Sequence, residues 1–372
     1  MQRVLAENVK GLAVHGILYP TLTARQNVAP PLPWVGYQHG PALAQLEGKA
    51  QKVAPMSDLG QITRQIDTMD HDVLVLSAEY LFVNLFYSGA DQTISFLKDR
   101  GYQIETISYL RDQPERINSL YAQRCKTGQW QTGFDAYCTH RRRKFRQLDV
   151  KGEPMVARGL HHDRLASPEQ NAWGRHTFRP FSSAVKARGI EADFMQTMRD
   201  VLAHNALAPT LTELACQSFH PAARSNDRDG TILVALCRQL SKMVVRRTAA
   251  NPKNSREQQR GERAVYPAAV AALEAVGVAD PKYQALTPAR DAELRQMFFE
   301  TNEVFAKTVW GCAWADVFPV VAAERLISND LDECHDADLT EGYRKALPIA
   351  RKELRKALDG IAKTLQPQKD DV

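Results

Sequence analysis

The stretch "YQIETISYLRDQPERINSLYAQ" at residues 102–123 decides the fold, because its pattern changes at Arg111. The residues before the arginine are rich in β-branched and aromatic side chains, as strands are. After the arginine, apolar residues return with helical spacing at Ile117, Leu120 and Tyr121. The stretch therefore predicts a strand that ends just before Arg111 and a helix that begins just after it.

The predicted helix carries its own start signal. Asp112 is a favourable N-cap residue, and Glu115 follows it with the spacing of a capping box. Pro114 fits the first turn, where its missing N–H leaves no bond unmade. Arg111 is thus predicted to lie between the carboxyl end of a strand and the N-terminus of a helix.

Further elements extend this pattern in both directions. "DVLVLSAEYLF" (72–82) begins as the continuous apolar run of a buried parallel strand, and "ADQTISFLKDRG" (90–101) predicts a short helix before the strand at 102–110. A crossover of this length allows only parallel pairing. "HTFRPF" (176–181) predicts another strand, and residues 2–14 fit a helix. The fold class predicted is α/β, with a parallel sheet flanked by helices.

The second half of the chain is predicted to be helical. The organisation expected is an α/β core at 1–247, a polar loop at 248–263 and a mainly helical C-terminal region at 264–372. Helical segments are predicted at 190–204, 229–247, 264–276, 288–309 and 343–365.

The composition excludes several classes of protein. The chain has 372 residues, 44% hydrophobic and 24% charged, with a net charge of +5, which favours an anionic ligand over a dedicated nucleic-acid binder. Its apolar runs are too short to span a membrane. Six scattered cysteines without a C-x-x-C pair predict reduced thiols and a cytoplasmic location. "HHD" (161–163) and "ECHD" (333–336) lack metal-ligand spacing, so no metal is predicted.

The strand ends are the expected place for a ligand, because open parallel sheets bind ligands outside the carboxyl ends of their strands. Arg111 and Ser119, eight positions later, form a plausible clamp for a terminal phosphate. The alternative is that Arg111 pairs with a neighbouring carboxylate and Ser119 has no ligand. The basic run "HRRRKFR" (140–146) has the same two interpretations: an anion-facing surface or a solvated helix face.

A resemblance to a known family bears on these alternatives. "YLRDQPERINSLYAQRCKTG" and "VLVLSAEYLF" resemble bacterial sulfotransferase-family proteins of the P-loop nucleotide-transferase type. Weaker matches follow in the family's order in "AENVKGLAVHGILYP", "GYQHGPALAQL", "WGRHTFRPFSSAVKARGIEADFM", "ARSNDRDGTILVALCRQL" and "FFETNEVFAKTVWG". The resemblance implies that Arg111 and Ser119 bind the 3′-phosphate of 3′-phosphoadenosine 5′-phosphosulfate (PAPS). Arg179, in "FRPF", matches a family strand, and could equally join the sheet to the following helix.

One expected family element is missing from the sequence. The family has a strand and a loop of the general form G-x-x-K-T-G-[ST]-[ST], which holds the 5′-phosphosulfate on backbone N–H groups. The chain begins at "MQRVLAEN", which resembles the helix after that loop. Two interpretations stay open: the true start lies upstream, or the chain is a truncated relative that does not hold the sulfuryl donor.

The resemblance implies a reaction as well. Sulfuryl transfer needs a base to take the proton of the acceptor hydroxyl. Glu79, just past a predicted buried strand, is the candidate base, and His39 is its rival; the alternatives are a surface carboxylate and a hydrogen-bonded structural histidine. The function expected is sulfation of a carbohydrate-type hydroxyl from PAPS. A non-catalytic binder of adenosine 3′,5′-bisphosphate, or a scaffold protein, and a nucleotide-dependent kinase are the other interpretations.

Overall fold

The computed structural model describes residues 2–21, 39, 43, 46, 58–77, 91–146, 175–203, 230–248 and 255–365. Most of these residues are helical, and two small parallel sheets give the protein its α/β character. The chain forms two compact units, each made of three segments. Unit 1 takes Met1–Asp112, Leu148–Ser225 and Glu300–Pro319, and unit 2 takes Gln113–Gln147, Asn226–Phe299 and Val320–Val372. The sequence predicts regions that follow one another along the chain, at 1–247, 248–263 and 264–372. In the structure, segments of the two units alternate along the chain.

The described helices, in chain order, are α1 (Gln2–Glu7), α2 (Val9–Val14), α3 (Asp58–Thr68), α4 (Asp91–Lys98), α5 (Gln113–Lys126), α6 (Phe134–Arg146), α7 (Ser183–Arg188), α8 (Ile190–Leu202), α9 (Thr231–Thr248), α10 (Ser255–Val276), α11 (Pro288–Val309), α12 (Trp314–Val317) and α13 (Ala337–Leu365). The described strands are β1 (Ile17–Leu18), β2 (Val73–Leu74), β3 (Glu105–Leu110) and β4 (Arg175–Pro180).

The predicted helix at 2–14 is interrupted in the structure. Asn8 separates α1 from α2, with φ −111° and ψ 16°, which is outside the helical region. Asparagine competes for local hydrogen bonds in non-helical conformations, so a break at this residue is physically reasonable. The chain then reverses at Gly16, whose φ of 68° favours glycine. A Cβ there would lie 2.7 Å from Oδ2 of Asp72, so no larger residue fits without movement.

Strand pairing follows the predicted elements but not the predicted neighbours. The strand expected at 176–181 is confirmed as β4, parallel to β3 from Glu105↔Arg175 to Leu110↔Pro180. Within the described ladders, β2 pairs with β1 and not with β3, which corrects the predicted pairing of 72–82 with 102–110. Consecutive strands are spatial neighbours in only roughly two-thirds of cases, and here a strand from much later in the chain pairs with β3.

The two faces of the β3–β4 pair are covered differently in unit 1. On one face, Ile107 packs against a cluster from α1, α2, β1 and α8 that includes Leu12 and Met198. On the other face, Leu110 and Phe178 pack against aromatic residues in and just after α11 and α12, namely Phe305, Trp310, Trp314 and Phe318. Each large apolar side chain buried in this way contributes about 1.5–3 kcal/mol to folding. The pair is therefore held rigidly on both sides.

Unit 2 has a helical core formed by α9, α10 and α13. Two glycines, Gly261 and Gly342, allow close helix packing, since a Cβ at Gly261 would lie 2.8 Å from Val244. The loop predicted at 248–263 is wrong over 255–263, which form the start of α10. Among the side chains that the structure describes at the start of α10, Gln258, Gln259 and Arg260 are exposed, while Gly261 and Val265 are buried.

None of the helices in the described part of the chain has the length and apolar character that crossing a bilayer requires. Five cysteines lie in the described ranges, and all are free thiols: Cys125, Cys138, Cys237, Cys312 and Cys334.

Candidate functional site

The carboxyl ends of β3 and β4 lie side by side in unit 1. Leu110 and Pro180 are register partners, and the next residue, Phe181, donates its N–H to the carbonyl of Leu110 at 2.6 Å. Arg111 therefore follows β3 as predicted, and its guanidinium carbon lies 5.0 Å from the centroid of the Phe181 ring. This distance is within the roughly 6 Å range of a cation–π contact.

A second cation approaches the same ring. The ammonium nitrogen of Lys186, on α7, lies 5.3 Å from the Phe181 centroid. The N-cap of α7 is Ser182, whose hydroxyl accepts a hydrogen bond from the N–H of Val185. We call Arg111, Phe181 and Lys186 the strand-end site.

A buried carboxylate joins the two strands directly behind this site. Tyr109 and Arg179 are register partners on β3 and β4, and both bond Asp193 on α8. Arg179 donates from Nη2 to Oδ1 at 2.6 Å and from Nε to Oδ2 at 3.2 Å, while the Tyr109 hydroxyl donates to Oδ2 at 2.9 Å. We call these three residues the Asp193 network. Arg179 thus joins the sheet to α8, the second helix after β4, which agrees with the structural one of the two alternatives left open for this residue.

The Asp193 network is electrostatically satisfied. The Asp193 side chain is 1% exposed. Burial raises the pKa of this carboxyl, but hydrogen bonds from Arg179 and Tyr109 and the charge of Arg188 outweigh burial and hold the pKa below its usual value. Burial also raises the pKa of Tyr109, so its hydroxyl stays protonated and donates. The strand ends are thus fixed relative to each other by a charged, hydrogen-bonded group.

Indole groups hold the other side of the strand ends. Trp314 donates its Nε1–H to Oδ1 of Asp112 at 3.1 Å, and Asp112 is 4% exposed. Trp310 donates its Nε1–H to the carbonyl of Phe178 at 3.0 Å. The backbone on each side of Arg111 is therefore anchored, through Leu110 before it and Asp112 after it.

His39 is bonded to backbone through both ring nitrogens. Ser77 donates its N–H to Nδ1 at 2.9 Å, so Nδ1 is the acceptor and Nε2 carries the proton donated to the carbonyl of Pro20 at 2.8 Å. His39 is 1% exposed, and burial lowers its pKa, although the bond to Pro20 opposes that effect. These contacts favour the structural role of His39, which ties the segments after β1 and β2 together. Its role as a base stays a prediction.

Of the other two predicted site residues, Glu79 and Ser119, the structure describes only Ser119. Glu79 lies outside the described residues. Ser119 is exposed on α5, in unit 2, whereas Arg111 belongs to unit 1. Sequence reasoning missed Phe181 and Lys186 as site residues. The available signal was the position of "FRPF" at the end of a predicted strand, with a lysine one turn into the next helix.

The basic run at 140–146 does not form one solvated face. Arg141 is 2% exposed and donates from Nε and Nη2 to the hydroxyl of Tyr137. Arg142 pairs with Glu293 on α11. Arg141 and Arg142 therefore make contacts within unit 2, while Arg143 is exposed on the same helix, and an anion-facing role of the run stays a prediction.

In the described part of the chain, no group of three or more His, Cys, Asp or Glu side chains is placed to hold a metal ion. Comparison with protein-family models, curated proteins and solved structures gives no match to this chain.

Proposed function

We propose that the chain is a sulfotransferase-like protein that binds the adenosine 3′,5′-bisphosphate portion of PAPS at the strand-end site. The proposal rests on one observation: β3 and β4 are parallel, they end in register, and Arg111 follows directly with its guanidinium over the ring of Phe181. The carboxyl edge of parallel strands is where such folds bind ligands. A guanidinium at this edge presents a planar fork of donors that matches a phosphate.

Three arginines, Arg111, Arg179 and Arg188, lie near the ends of β3 and β4 and make different contacts. Arg179 and Arg188 are both within ion-pair distance of Asp193, whose single negative charge balances one of these two cations. Arg111 lies directly after β3, with its guanidinium against the ring of Phe181. Its place at the carboxyl end of the strand supports phosphate binding by Arg111.

The proposed reaction moves a sulfuryl group from PAPS to a hydroxyl of a carbohydrate-type acceptor. The acceptor oxygen forms a bond to sulfur while the bond from sulfur to the 5′-phosphate oxygen breaks, and adenosine 3′,5′-bisphosphate leaves. A base takes the acceptor proton. Glu79 is the proposed base, because both ring nitrogens of its rival His39 are engaged by backbone.

Isothermal titration of the full chain with adenosine 3′,5′-bisphosphate tests the binding step. Arg111→Ala is expected to weaken binding by about 2–3 kcal/mol, the loss of a charged hydrogen-bond donor. Arg100→Ala is the matched control, because Arg100 also lies over a ring in unit 1, 3.8 Å from the centroid of Phe96. Equal losses in the two variants, or no binding by the unmodified chain, would contradict the proposal. ATP should bind more weakly, since it lacks the 3′-phosphate.

Transfer of labelled sulfate from PAPS to a panel of glycans tests the catalytic step. Glu79→Gln should abolish turnover and leave the affinity for adenosine 3′,5′-bisphosphate unchanged. Nucleotide binding without any transfer would support the alternative, a non-catalytic binding protein.

A further inference from the structure

We propose that the exposed side of α13 is a binding surface for duplex nucleic acid, which it contacts through phosphates and without sequence preference. Four cationic residues form this surface, which we call the α13 basic face: Arg351, Lys352, Arg355 and Lys356. All four belong to unit 2. The proposal goes beyond the proposed function and does not depend on it.

The first argument is the way in which α13 divides its residues between core and solvent. Its buried stripe, which includes Ala346, Ala350, Leu354 and Leu358, packs into the core of unit 2. The four residues of the α13 basic face recur at i, i+1, i+4 and i+5, and all are exposed. Residues with this spacing share one side of a helix. Their charges are therefore gathered within about 7.5 Å of the helix axis, at 1.5 Å per residue.

The second argument is that neighbouring carboxylates do not balance these charges. Two other exposed cations of the helix, Arg344 and Lys345, pair with Glu341. Asp359, beyond the other end of the α13 basic face, pairs with Arg247 of α9. Within the described part of the chain, none of the four cations of the face forms an ion pair. Like charges at i and i+4 destabilise a helix, so the stability of α13 does not account for this arrangement.

The net charge of the chain does not reveal this surface. The value of +5 is the difference between 48 basic and 43 acidic residues, which nearly balance over the whole chain. The field of an exposed charge is screened beyond one Debye length, about 10 Å at 0.1 M salt. A polyanion is therefore attracted by the local cluster on α13 rather than by the total charge.

Charge density indicates the class of partner. Duplex DNA carries one negative charge per about 1.7 Å of its axis, so about 7.5 Å of duplex presents roughly four charges. This number equals the number of cations that the α13 basic face presents over the same length. Its two arginines match phosphates in a bidentate arrangement, and its two lysines act as point charges. Contacts of this kind go to the phosphates and carry no sequence information.

Other polyanionic surfaces fit the α13 basic face less well. The only aromatic residue of α13, Tyr343, packs against the core of unit 2, so the bases of a single strand find no ring of this helix to stack on. Helices that bind membranes insert an apolar face into the lipid. The leucines and isoleucines whose side chains are described in α13 are buried or half-buried, so the exposed side offers none of them to a bilayer.

Fluorescence anisotropy of the full chain with a labelled duplex DNA tests the proposal. The duplex has a mixed sequence of about 20 base pairs, and binding is measured between about 50 and 200 mM salt. Each phosphate contact contributes about 0.9 to the slope of log affinity against log salt, so four contacts predict a loss of about 150-fold over this range. Lys352→Gln combined with Lys356→Gln should lower the slope by about 1.8 and leave a loss of about twelvefold.

Lys10→Gln combined with Lys98→Gln is the matched control. Both lysines are exposed in unit 1, and this double variant removes the same two charges from the chain. It should keep the salt slope of the unmodified protein. An equal change of slope in the two double variants would show that total charge governs binding, which refutes the role of α13. Unchanged thermal unfolding of both double variants confirms that the losses are not due to misfolding.

Three other results would overturn the proposal. The first is that the unmodified chain does not bind the duplex. The second is tighter binding of a single strand of the same sequence, which would contradict recognition through duplex phosphates alone. The third is binding to vesicles of phosphatidylserine and phosphatidylcholine without binding to the duplex, which would identify a membrane as the partner. Duplex binding without binding of adenosine 3′,5′-bisphosphate would leave this proposal standing and contradict only the proposed function.

Discussion

Replacing Asp193 by asparagine should destabilise the protein by about 3 kcal/mol. The substitution keeps the shape of the side chain but removes its charge. The carboxylate accepts two hydrogen bonds from Arg179 and one from Tyr109, and its side chain is 1% exposed. Removing one partner of a buried ion pair costs about 3–5 kcal/mol, mostly because the other charge is left unpaired. Arg179 retains 34% exposure, so water partly replaces the lost contact and the lower end of that range applies.

Urea unfolding followed by far-UV circular dichroism measures this effect, with the slope of the transition checked for constancy. Asp200→Asn on the same helix is the control, because Asp200 is exposed and receives its bond from Gln196; its free energy of unfolding should change by less than about 0.5 kcal/mol. A loss below about 1 kcal/mol for Asp193→Asn would refute the idea that this carboxylate joins the strands. The double variant with Arg179→Met should lose less than the sum of the single variants, since the two residues act as one unit.

Three further predictions concern single residues. Burial lowers the pKa of the His176 imidazole to about 4. Between pH 6.5 and 4 the unfolded chain therefore binds a proton that the folded chain does not, and the free energy of unfolding should fall as the pH drops. In urea unfolding over that window, the unmodified protein should lose about 3 kcal/mol more than His176→Gln. Asp280→Ala should lower the unfolding free energy by about 1–2 kcal/mol, measured in the same way, because its carboxylate accepts from the N–H groups of Ile232 and Leu233 at the start of α9. Burial raises the pKa of Cys138 to about 12, so iodoacetamide at pH 8 should leave this thiol unmodified in peptide maps of the native protein; rapid labelling would contradict its burial.

Local patterns in the sequence were sufficient to predict the elements around Arg111. The change from β-branched residues to helical spacing placed the end of β3 and the start of α5 correctly, and "HTFRPF" predicted β4 to within one residue. These predictions succeeded because propensity, capping and hydrophobic period agree over short distances. The buried stripe of α5 differed in detail, since Asn118 is buried and Leu120 is only partly so.

Features that depend on distant residues were not predictable in the same way. Nothing in residues 105–110 specifies a partner at 175–180, and sequence order suggested the wrong neighbour. The sequence around Asp193 predicts only a residue of a helix. Its buried position and its bonds to Tyr109 and Arg179 depend on the tertiary structure. Likewise, the polar start of α10 resembled a loop because its few buried positions are set by the helices packed against it. Tertiary contacts override local propensity at each of these positions.

The alternation of the two units along the chain has a consequence for biosynthesis. Unit 1 includes residues 300–319, so Leu110 and Phe178 cannot pack against Phe305 and Trp314 until that segment has left the ribosome. A domain that is continuous in sequence can fold as it leaves the ribosome. Each unit here consists of three separated segments, so its early segments are synthesised before their partners. Each unit is therefore expected to fold only after its last segment has been synthesised, and slowly, since contacts of large sequence separation must form. Until then, the apolar side chains of Leu110 and Phe178 lack their aromatic partners in the nascent chain.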